Sequence, residues 1–508
     1  MLSNLSKKHM ALLLVLILLL AGLGGFMYKT TSTKKTTVVV PPKPIYPFVD
    51  CVTNKCNFPL TMLPRPSAET AVAVNPKDPN NIVASSNDLN NPSQDVWLHF
   101  YTTKDGGKTW GDGIVPGYRG GPPSLMTGMG TACDPALAFD NDNNVYLAGV
   151  GYNRHGVNFG RENMIFVARS SNGGTSFDQV TMVHTAWISG RLQFDDKEWI
   201  AADLKTGNVY VTWTIFTGNY LGQIVFSKST DKGLTWSLPR KLADVTADIN
   251  GQGSYVQVDD NGTIHVVWRD FTDDSVHYTR SSDAGSTWEA VRSIIQMKPP
   301  NSPLINATYR VPTMPTMVID DTHGPYRGSI YIAWSDNRTG DSDAFLAYSR
   351  DWGKTWNTTF VRMNNDTVGN GADQFFPALA ISPQGWIHTM FYDRRYDMNH
   401  TLLGVTYAVS TDGGQNFRIN LNVTDKIFDG DRGGKSYWSE FRGDTTGFVG
   451  DYLGIGANNT TAFLTWSDDR NASPTDGNSD IYAAMVVFSG PHGNVNDTDN
   501  YLVKYGDN

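Results

Sequence analysis

The chain has little cysteine, few charges and no basic tract. Three cysteines among 508 residues exclude a disulfide-built scaffold. Cys51 and Cys56 enclose a short loop, Cys51-Val-Thr-Asn-Lys-Cys56, and Cys133 stands alone. In an oxidising compartment the first two are expected to form a small disulfide. Zinc would need a second Cys or His pair at ligand spacing, which is missing. Charged residues make up only 18% of the chain, and the net charge is −9. No basic run offers a track for a phosphate backbone, so nucleic acid is excluded as a partner. The acidic balance gives no long-range attraction to an acidic ligand either, so such binding would have to come from local arginines. Beyond the N-terminus there is also no amphipathic helical pattern of useful length. No cofactor is expected.

Only one long apolar run is present. Lys7 and Lys8 precede it, and it covers residues 10–28 without a charge. That length just spans a bilayer, and the preceding lysines place the N-terminus inside and the rest outside. A cleaved signal peptide is the competing reading, but its apolar core is usually shorter. Residues 29–47 are rich in Thr, Lys and Pro and read as an extended stalk. Asn-x-Ser/Thr sequons crowd the remainder, at Asn261, Asn306, Asn357, Asn365, Asn399, Asn422, Asn459, Asn471 and Asn496. With the anchor they suit a glycosylated surface protein. The expected location is therefore the cell membrane, with residues 48–508 outside, or secretion if the segment is cleaved.

What the chain has in quantity is one octapeptide. Ser281-Ser-Asp283-Ala-Gly285-Ser-Thr287-Trp288 recurs as Thr103-Lys-Asp105-Gly-Gly107-Lys-Thr109-Trp110 and Ser170-Ser-Asn172-Gly-Gly174-Thr-Ser176-Phe177. It recurs again as Ser229-Thr-Asp231-Lys-Gly233-Leu-Thr235-Trp236, Ser349-Arg-Asp351-Trp-Gly353-Lys-Thr355-Trp356 and Ser410-Thr-Asp412-Gly-Gly414-Gln-Asn416-Phe417. The carboxylate can accept backbone N–H bonds within a tight turn, and Asn imitates it. The glycine supplies positive φ. The closing aromatic must pack between neighbouring units. Six copies spaced 52 to 68 residues apart mark repeated supersecondary units.

The octapeptide resembles the Asp-box of the sialidase (neuraminidase) superfamily and other β-propellers with the same repeat. The resemblance runs from about Glu69 onward and implies an all-β propeller. The Asp-box residues Asp105, Asn172, Asp231, Asp283, Asp351 and Asp412 are structural in that reading. Between boxes, short β-branched and aromatic runs bounded by Gly, Asp and Asn read as strands, as in Ile330-Tyr-Ile-Ala-Trp334. A seventh strand triplet, ending in Asp480-Ile-Tyr-Ala-Ala484, follows the last box and has none. Seven blades are expected, with the segment near residues 48–63 supplying the missing outer strand. Six blades with one irregular unit is the alternative.

Propeller topology sorts the candidate residues. Starts of first strands and ends of second strands share one face, and the boxes lie on the other. The first group carries Asp134, the run Asp195-Asp196-Lys197-Glu198, Arg310, Asp373, Asp451 and Tyr452. The second carries Arg338, Arg395 and Arg470, each in an Asp-x-Arg pattern. All should converge on one polar mouth. Sialidases hold the substrate carboxylate with three arginines and use a Tyr activated by a Glu, with an Asp as acid/base. The resemblance thus implies catalytic Asp134, Asp196, Glu198, Asp451 and Tyr452, and substrate binding by Arg310, Arg338, Asp373, Arg395 and Arg470. Tyr437 with Glu440 is an alternative pair. Arg310-Val-Pro312 looks like the sialidase Arg-Ile-Pro motif, displaced into the fifth unit. Against this stands the repetition of Asp-x-Arg at one place in three units, which suits a blade-to-blade clamp. The Asn/Asp turn at 140–144 has calcium-ligand residue types, but a hairpin turn needs no metal.

Two functions follow as expectations. One is an exo-acting, sialidase-like glycoside hydrolase that removes terminal acidic sugars. The alternative is a non-catalytic glycan- or protein-binding propeller of the cell envelope. The expected partner is a glycan or other anionic surface ligand.

Overall fold

The computed structural model describes residues 57–61, 66–89, 96–153, 163–185, 193–217, 221–243, 250–433, 446–472 and 477–488. The apolar run, the stalk, Cys51, Cys56, Tyr437 and Glu440 lie outside them. Every regular element among the described residues is a strand, and none of those residues forms a helix long and apolar enough to cross a membrane.

The strands form four-stranded antiparallel meanders in chain order. Five are separate sheets. An eight-stranded sheet is two more, joined at a single parallel bridge, Val96 to Thr131. The middle strands are buried on both faces, which is why their central residues are mostly apolar. Ile264–Asp270, Ile330–Asp336 and Ile387–Asp393 are buried at every position. The sides of these sheets face neighbouring meanders, and the core is divided accordingly. One cluster joins Tyr278 and Val267 of the fourth meander to Trp334 and Ile332 of the fifth. Another joins Leu346 of the fifth to Phe391 of the sixth. Ile82 of the first packs with Phe463 and Met485 of the seventh, so the succession returns to its start.

The seventh meander takes its outermost strand from the beginning of the chain. Its own strands are Gly454–Ala457, Thr461–Asp468 and Asp480–Val487. Phe58–Pro59 pairs with the last of these, Phe58 opposite Ala483, and the Leu60 N–H donates to the Ile481 carbonyl at 2.7 Å. This is the strand exchange the missing seventh box implied.

The boxes close as their residue types require. At Asp283, Oδ1 accepts from Ser281 Oγ at 2.8 Å and from the Thr287 N–H at 2.8 Å, while Oδ2 accepts from Thr287 Oγ1 at 2.6 Å. Asp105, Asp231, Asp351 and Asp412 repeat the arrangement, and Asn172 joins Ser176 through Nδ2. The Thr287 hydroxyl and N–H hold the Asp283 carboxyl down to about 2. The box glycine has a second duty. Gly353 lies at φ +79°, and any Cβ there would overlap the hydroxyl of Tyr278 on the preceding meander. Gly107 of the first box stands in the same relation to Met485 of the seventh meander. The Asp140 turn is filled by its own donors: Oδ1 accepts the N–H groups of Asp142 and Asn144, and Oδ2 accepts from Asn144 Nδ2 and the Tyr146 hydroxyl.

Candidate functional site

The site begins with a repeated irregularity in the first strands. Five of them break register with the second strand near their start, between Ala68 and Thr70, Cys133 and Ala136, Asp196 and Trp199, Gln252 and Tyr255, and Phe375 and Ala378. In each bulge one residue is left-handed: Glu69 at φ 54°, Asp134 at 60°, Lys197 at 53°, Gly253 at 67° and Phe376 at 54°. Such bulges re-aim a side chain, and a left-handed first residue is normally glycine. Only one of the five is glycine here. The other four carry a torsional cost that ordinary packing does not require, and such strain collects at functional sites.

The bulges bring Glu69, Asp134 and Lys197 together, although they come from three different meanders. Lys197 Nζ lies 2.7 Å from Asp451 Oδ2, 3.0 Å from Asp134 Oδ2 and 3.3 Å from Glu69 Oε1. Arg310 grips Asp451 with both arms, Nε to Oδ1 at 2.8 Å and Nη2 to Oδ2 at 2.6 Å. Asn87 ties the acids to the scaffold: its Nδ2 donates to Glu69 Oε2 at 2.6 Å, and its Oδ1 accepts the Asp134 N–H at 2.8 Å. Lys197 also lies over the Tyr452 ring, 5.4 Å from its centroid. Trp199 stacks on Tyr255 with ring centroids 4.0 Å apart and meets Tyr452 edge-on at 6.3 Å. Glu198 is buried, and neither of its carboxyl oxygens has a hydrogen-bond partner.

Shared charge splits the acids into two kinds. Burial opposes ionisation of Asp451, but Arg310 and Lys197 outweigh it and bring the carboxyl down to about 2. Asp134 is also lowered: Lys197 and a hydrogen bond from Glu69 overcome its burial. Asp196 goes the other way. Burial, then the negative charge of Asp134, push it up to about 7. Burial and Asp134 likewise raise Glu69 and Glu198. The Tyr452 phenol is raised by burial and by Glu69, so it stays protonated at neutral pH. Lys197 is held charged by Asp134 and Asp451 against its own burial.

Beneath this cluster runs a cavity of about 80 Å³. First-strand residues of all the meanders line it. Asp134, Lys197, Glu198 and Asp451 form its polar end, Trp199, Tyr255 and Tyr452 an aromatic wall, and Met314, Phe376 and Ile455 its apolar part. Carboxyls shifted in opposite directions and a flat aromatic wall at one end of the cavity are equipment suited to proton transfer. Among the described residues no group of three or more His, Cys, Asp or Glu side chains is placed to hold a metal ion.

Six of the residues singled out from the sequence thus meet: Asp134, Asp196, Glu198, Arg310, Asp451 and Tyr452. The other four lie elsewhere, which corrects the expected single mouth. Arg338 is clamped on Asp336, Nε to Oδ1 at 2.8 Å and Nη2 to Oδ2 at 2.7 Å, and reaches the Gln296 carbonyl of the preceding meander. Arg395 pairs with Asp393 at 2.6 Å and with Asn365 and Asp366. Arg470 pairs with Asp468 at 2.7 Å, with Asp425 and with Asn57. The second strand stands one strand away from the axis, and these guanidinium groups point outward to the edge of the preceding meander. They are clamps, and these three arginines form no triad with one another. Asp373 accepts the Ser342 N–H at 3.0 Å and pairs with Arg394 at 3.0 Å, away from the cavity. Asp195, beside Asp196, is turned into the core, where it binds Trp213 Nε1 and His184.

Glu69 was not chosen from the sequence as a site residue, and Lys197 was named only within the run Asp195-Asp196-Lys197-Glu198, without a role of its own. Their signal was positional. Both occupy the register of Asp134 in the repeat, where other meanders carry Gly253 and Phe376.

The family model described as "BNR repeat-containing family member" matches residues 209–426. No curated protein matches the chain. Solved structures with similar folds include a protein of unknown function from Dyadobacter fermentans, 13% identical over 84% of this chain and 97% of that one, TM-score 0.47. A Hadza microbial sialidase is 15% identical over 79% of this chain and 76% of its own, TM-score 0.43. An α-L-arabinanase of Penicillium chrysogenum is 16% identical over 66% of this chain and 93% of its own, TM-score 0.46. The repeat read from the Asp-boxes therefore stands: through residues 209–426 the chain is similar to the BNR repeat-containing family.

Proposed function

We propose that the seven meanders are the blades of one closed propeller and that its axial cavity is the active site of a glycoside hydrolase. One observation carries this reading. Asp134 lines the cavity and Asp196 lies close enough to feel its charge, with their affinities for protons pushed apart, one lowered and the other raised to about 7. Such a split assigns roles. Asp196, which still keeps its proton in about half of the molecules at pH 7, donates to the leaving-group oxygen. Asp134, ionised, stabilises the oxocarbenium-like charge or activates water. Trp199 and Tyr255 offer a face for the sugar ring, and the narrow cavity suits the end of a chain.

The charge balance favours a neutral sugar over the acidic one expected from the arginines. Lys197 and Arg310 face Glu69, Asp134, Asp196, Glu198 and Asp451, so among the described residues of this cluster neither cation is left over for a substrate carboxylate. The propeller is placed outside the cell on residues 10–28, a placement in keeping with the exposed sequon residues Asn261, Asn306, Asn399 and Asn459.

The test is a screen of the purified protein against aryl and alkyl glycosides of neutral pentoses, neutral hexoses and N-acetylneuraminic acid. Turnover is expected on a neutral glycoside, with a basic limb near pH 7 that reports Asp196. Asp196→Asn should lower kcat by about 100-fold or more, and more on alkyl than on aryl leaving groups, which need less protonation. Absence of turnover on every glycoside, or turnover indifferent to both Asp196→Asn and Asp134→Asn, would refute the assignment.

A further inference from the structure

We propose that the chain carries N-linked oligosaccharide on Asn261, Asn306, Asn399 and Asn459 and on none of Asn422, Asn458 and Asn471, although all seven head Asn-x-Ser/Thr sequons. This requires the propeller to lie outside the cell, as proposed above. The donor class is an oligosaccharide linked through phosphate to a membrane polyprenol. The asparagine Nδ2 forms a bond to the anomeric carbon of the first sugar. The bond from that carbon to the phosphate oxygen breaks, the polyprenyl phosphate leaves, and one amide proton goes to solvent. The modified nitrogen keeps a single N–H and must direct its sugar into water.

What separates the two groups is which residue shapes the turn. Asn and Asp side chains often hold a turn by accepting N–H bonds from residues a short way on. A sequon Asn used in this way is held against the protein. Asn261 lies between the strands Gly251–Val258 and Ile264–Asp270, and Asp259 holds that turn. Its Oδ1 accepts the N–H groups of Asn261 and Thr263 at 2.9 and 2.8 Å. Asn399 lies between the second and third strands of the sixth meander, and Asp397 serves there. Its Oδ2 accepts the Thr401 N–H at 2.9 Å and the Thr401 hydroxyl at 2.8 Å. Asn306, in the link from the fourth to the fifth meander, stands at φ 56°, a left-handed position that asparagine tolerates. These three and Asn459 are exposed.

The run Asn458-Asn459-Thr460-Thr461 holds two overlapping sequons, and the fold distinguishes them. Asn458 is 7% exposed. Its Oδ1 accepts the N–H groups of Thr460 and Thr461 at 2.9 and 2.8 Å. Its Nδ2 donates to the Pro79 carbonyl at 3.0 Å, across the seam between the seventh and first meanders. A chain modified at Asn458 before folding would hold that seam open, and after folding the amide is out of reach. Asn459 stands exposed on the turn that Asn458 shapes. Asn471 engages Nδ2 twice, with Asp480 Oδ2 at 2.9 Å and the Tyr482 hydroxyl at 3.1 Å, so a glycan would take a donor from buried Asp480. Asn422 Oδ1 accepts the N–H and hydroxyl of Thr424 at 3.0 and 2.6 Å. Thr424, the hydroxyl residue of that sequon, is 1% exposed.

The experiment is glycopeptide mass spectrometry of the full-length protein from the membranes of its native cells, with electron-transfer fragmentation to tell Asn458 from Asn459. Protease treatment of intact cells is a separate arm. Glycan is expected at Asn261, Asn306, Asn399 and Asn459, with bare asparagine at 422, 458 and 471. Asn459→Gln should lose the mass of one glycan and gain none at Asn458. Asn458→Gln should keep the Asn459 glycan but melt several degrees lower, since it breaks the bonds at the seam. Glycan on Asn422, Asn458 or Asn471 overturns the proposal. So does bare asparagine at all four expected sites in a protein that protease reaches from outside, a result that leaves the external placement standing. Protection from the protease overturns both together.

Discussion

Replacing Gly353 by Ala should destabilise the protein far more than the same change at Gly233, although both glycines hold one position in their boxes and both lie at φ +79°. The shared torsion costs an L residue about 1 kcal/mol in each case. The surroundings differ. At Gly233 the nearest atom to a new Cβ is Tyr146 Cε1 at 3.4 Å, an ordinary contact. At Gly353 the Cβ would overlap the Tyr278 hydroxyl and come within 2.7 Å of its Cζ. Tyr278 cannot yield cheaply, because it is fully buried and its hydroxyl is bonded to His265 Nδ1 at 2.8 Å. Overpacking of this kind costs roughly 1–3 kcal/mol, and breaking the hydrogen bond adds about 1 kcal/mol. Gly353→Ala should therefore lose about 2–4 kcal/mol more than Gly233→Ala. Urea unfolding of the two variants, followed by tryptophan fluorescence, measures the difference. Equal losses would show that the box glycine serves its torsion alone and that the blade-to-blade contact is slack.

Other outcomes follow from the same geometry. Arg338→Ala and Arg395→Ala should each cost about 2 kcal/mol by leaving Asp336 or Asp393 buried and unpaired, with glycoside turnover unchanged in the survivors; a turnover loss without a fall in melting temperature would restore them to the site. Asp196 is raised in the fold, so its contribution to stability is full below about pH 4 and disappears as pH climbs through about 7. Asp196→Asn should therefore gain on the parent protein in melting temperature between pH 5 and pH 8, and a constant gap would contradict the raised carboxyl. Phe58→Asp should open the seventh meander first, because Phe58–Pro59 is its outermost strand. Hydrogen exchange should then rise across Asp480–Val487 before other strands, and uniform loss of protection would refute that order.

Much of the architecture is local and was legible in the chain. The Asp-box is a turn whose bonds join residues two to four apart, so Asp283 with Thr287 states its own geometry wherever it occurs. Six copies gave the period, and a seventh strand triplet without a box asked for the strand that Phe58–Pro59 supplies. Burial on both sides wrote the stretch Ile330–Trp334 as an unbroken apolar run. The site is a different kind of object. Glu69, Asp134 and Lys197 come from three first strands and Arg310 and Asp451 from the links that lead into two others, and the meeting depends on where the first-strand bulges fall. A bulge is a register event between two strands, and Glu69 in Ser67–Val74 looks like any acid in a strand until Ala68 and Thr70 are seen to pair on either side of it. The arginines show the same limit. Asp-x-Arg fixes that Arg338 lies near Asp336, but the direction of the guanidinium, outward to Gln296 and away from the axis, is set by the neighbouring meander. Sequence determined the repeat and the candidate residue types. Only the packing of one meander on the next decided which charges are spent on holding the ring and which are left around its cavity.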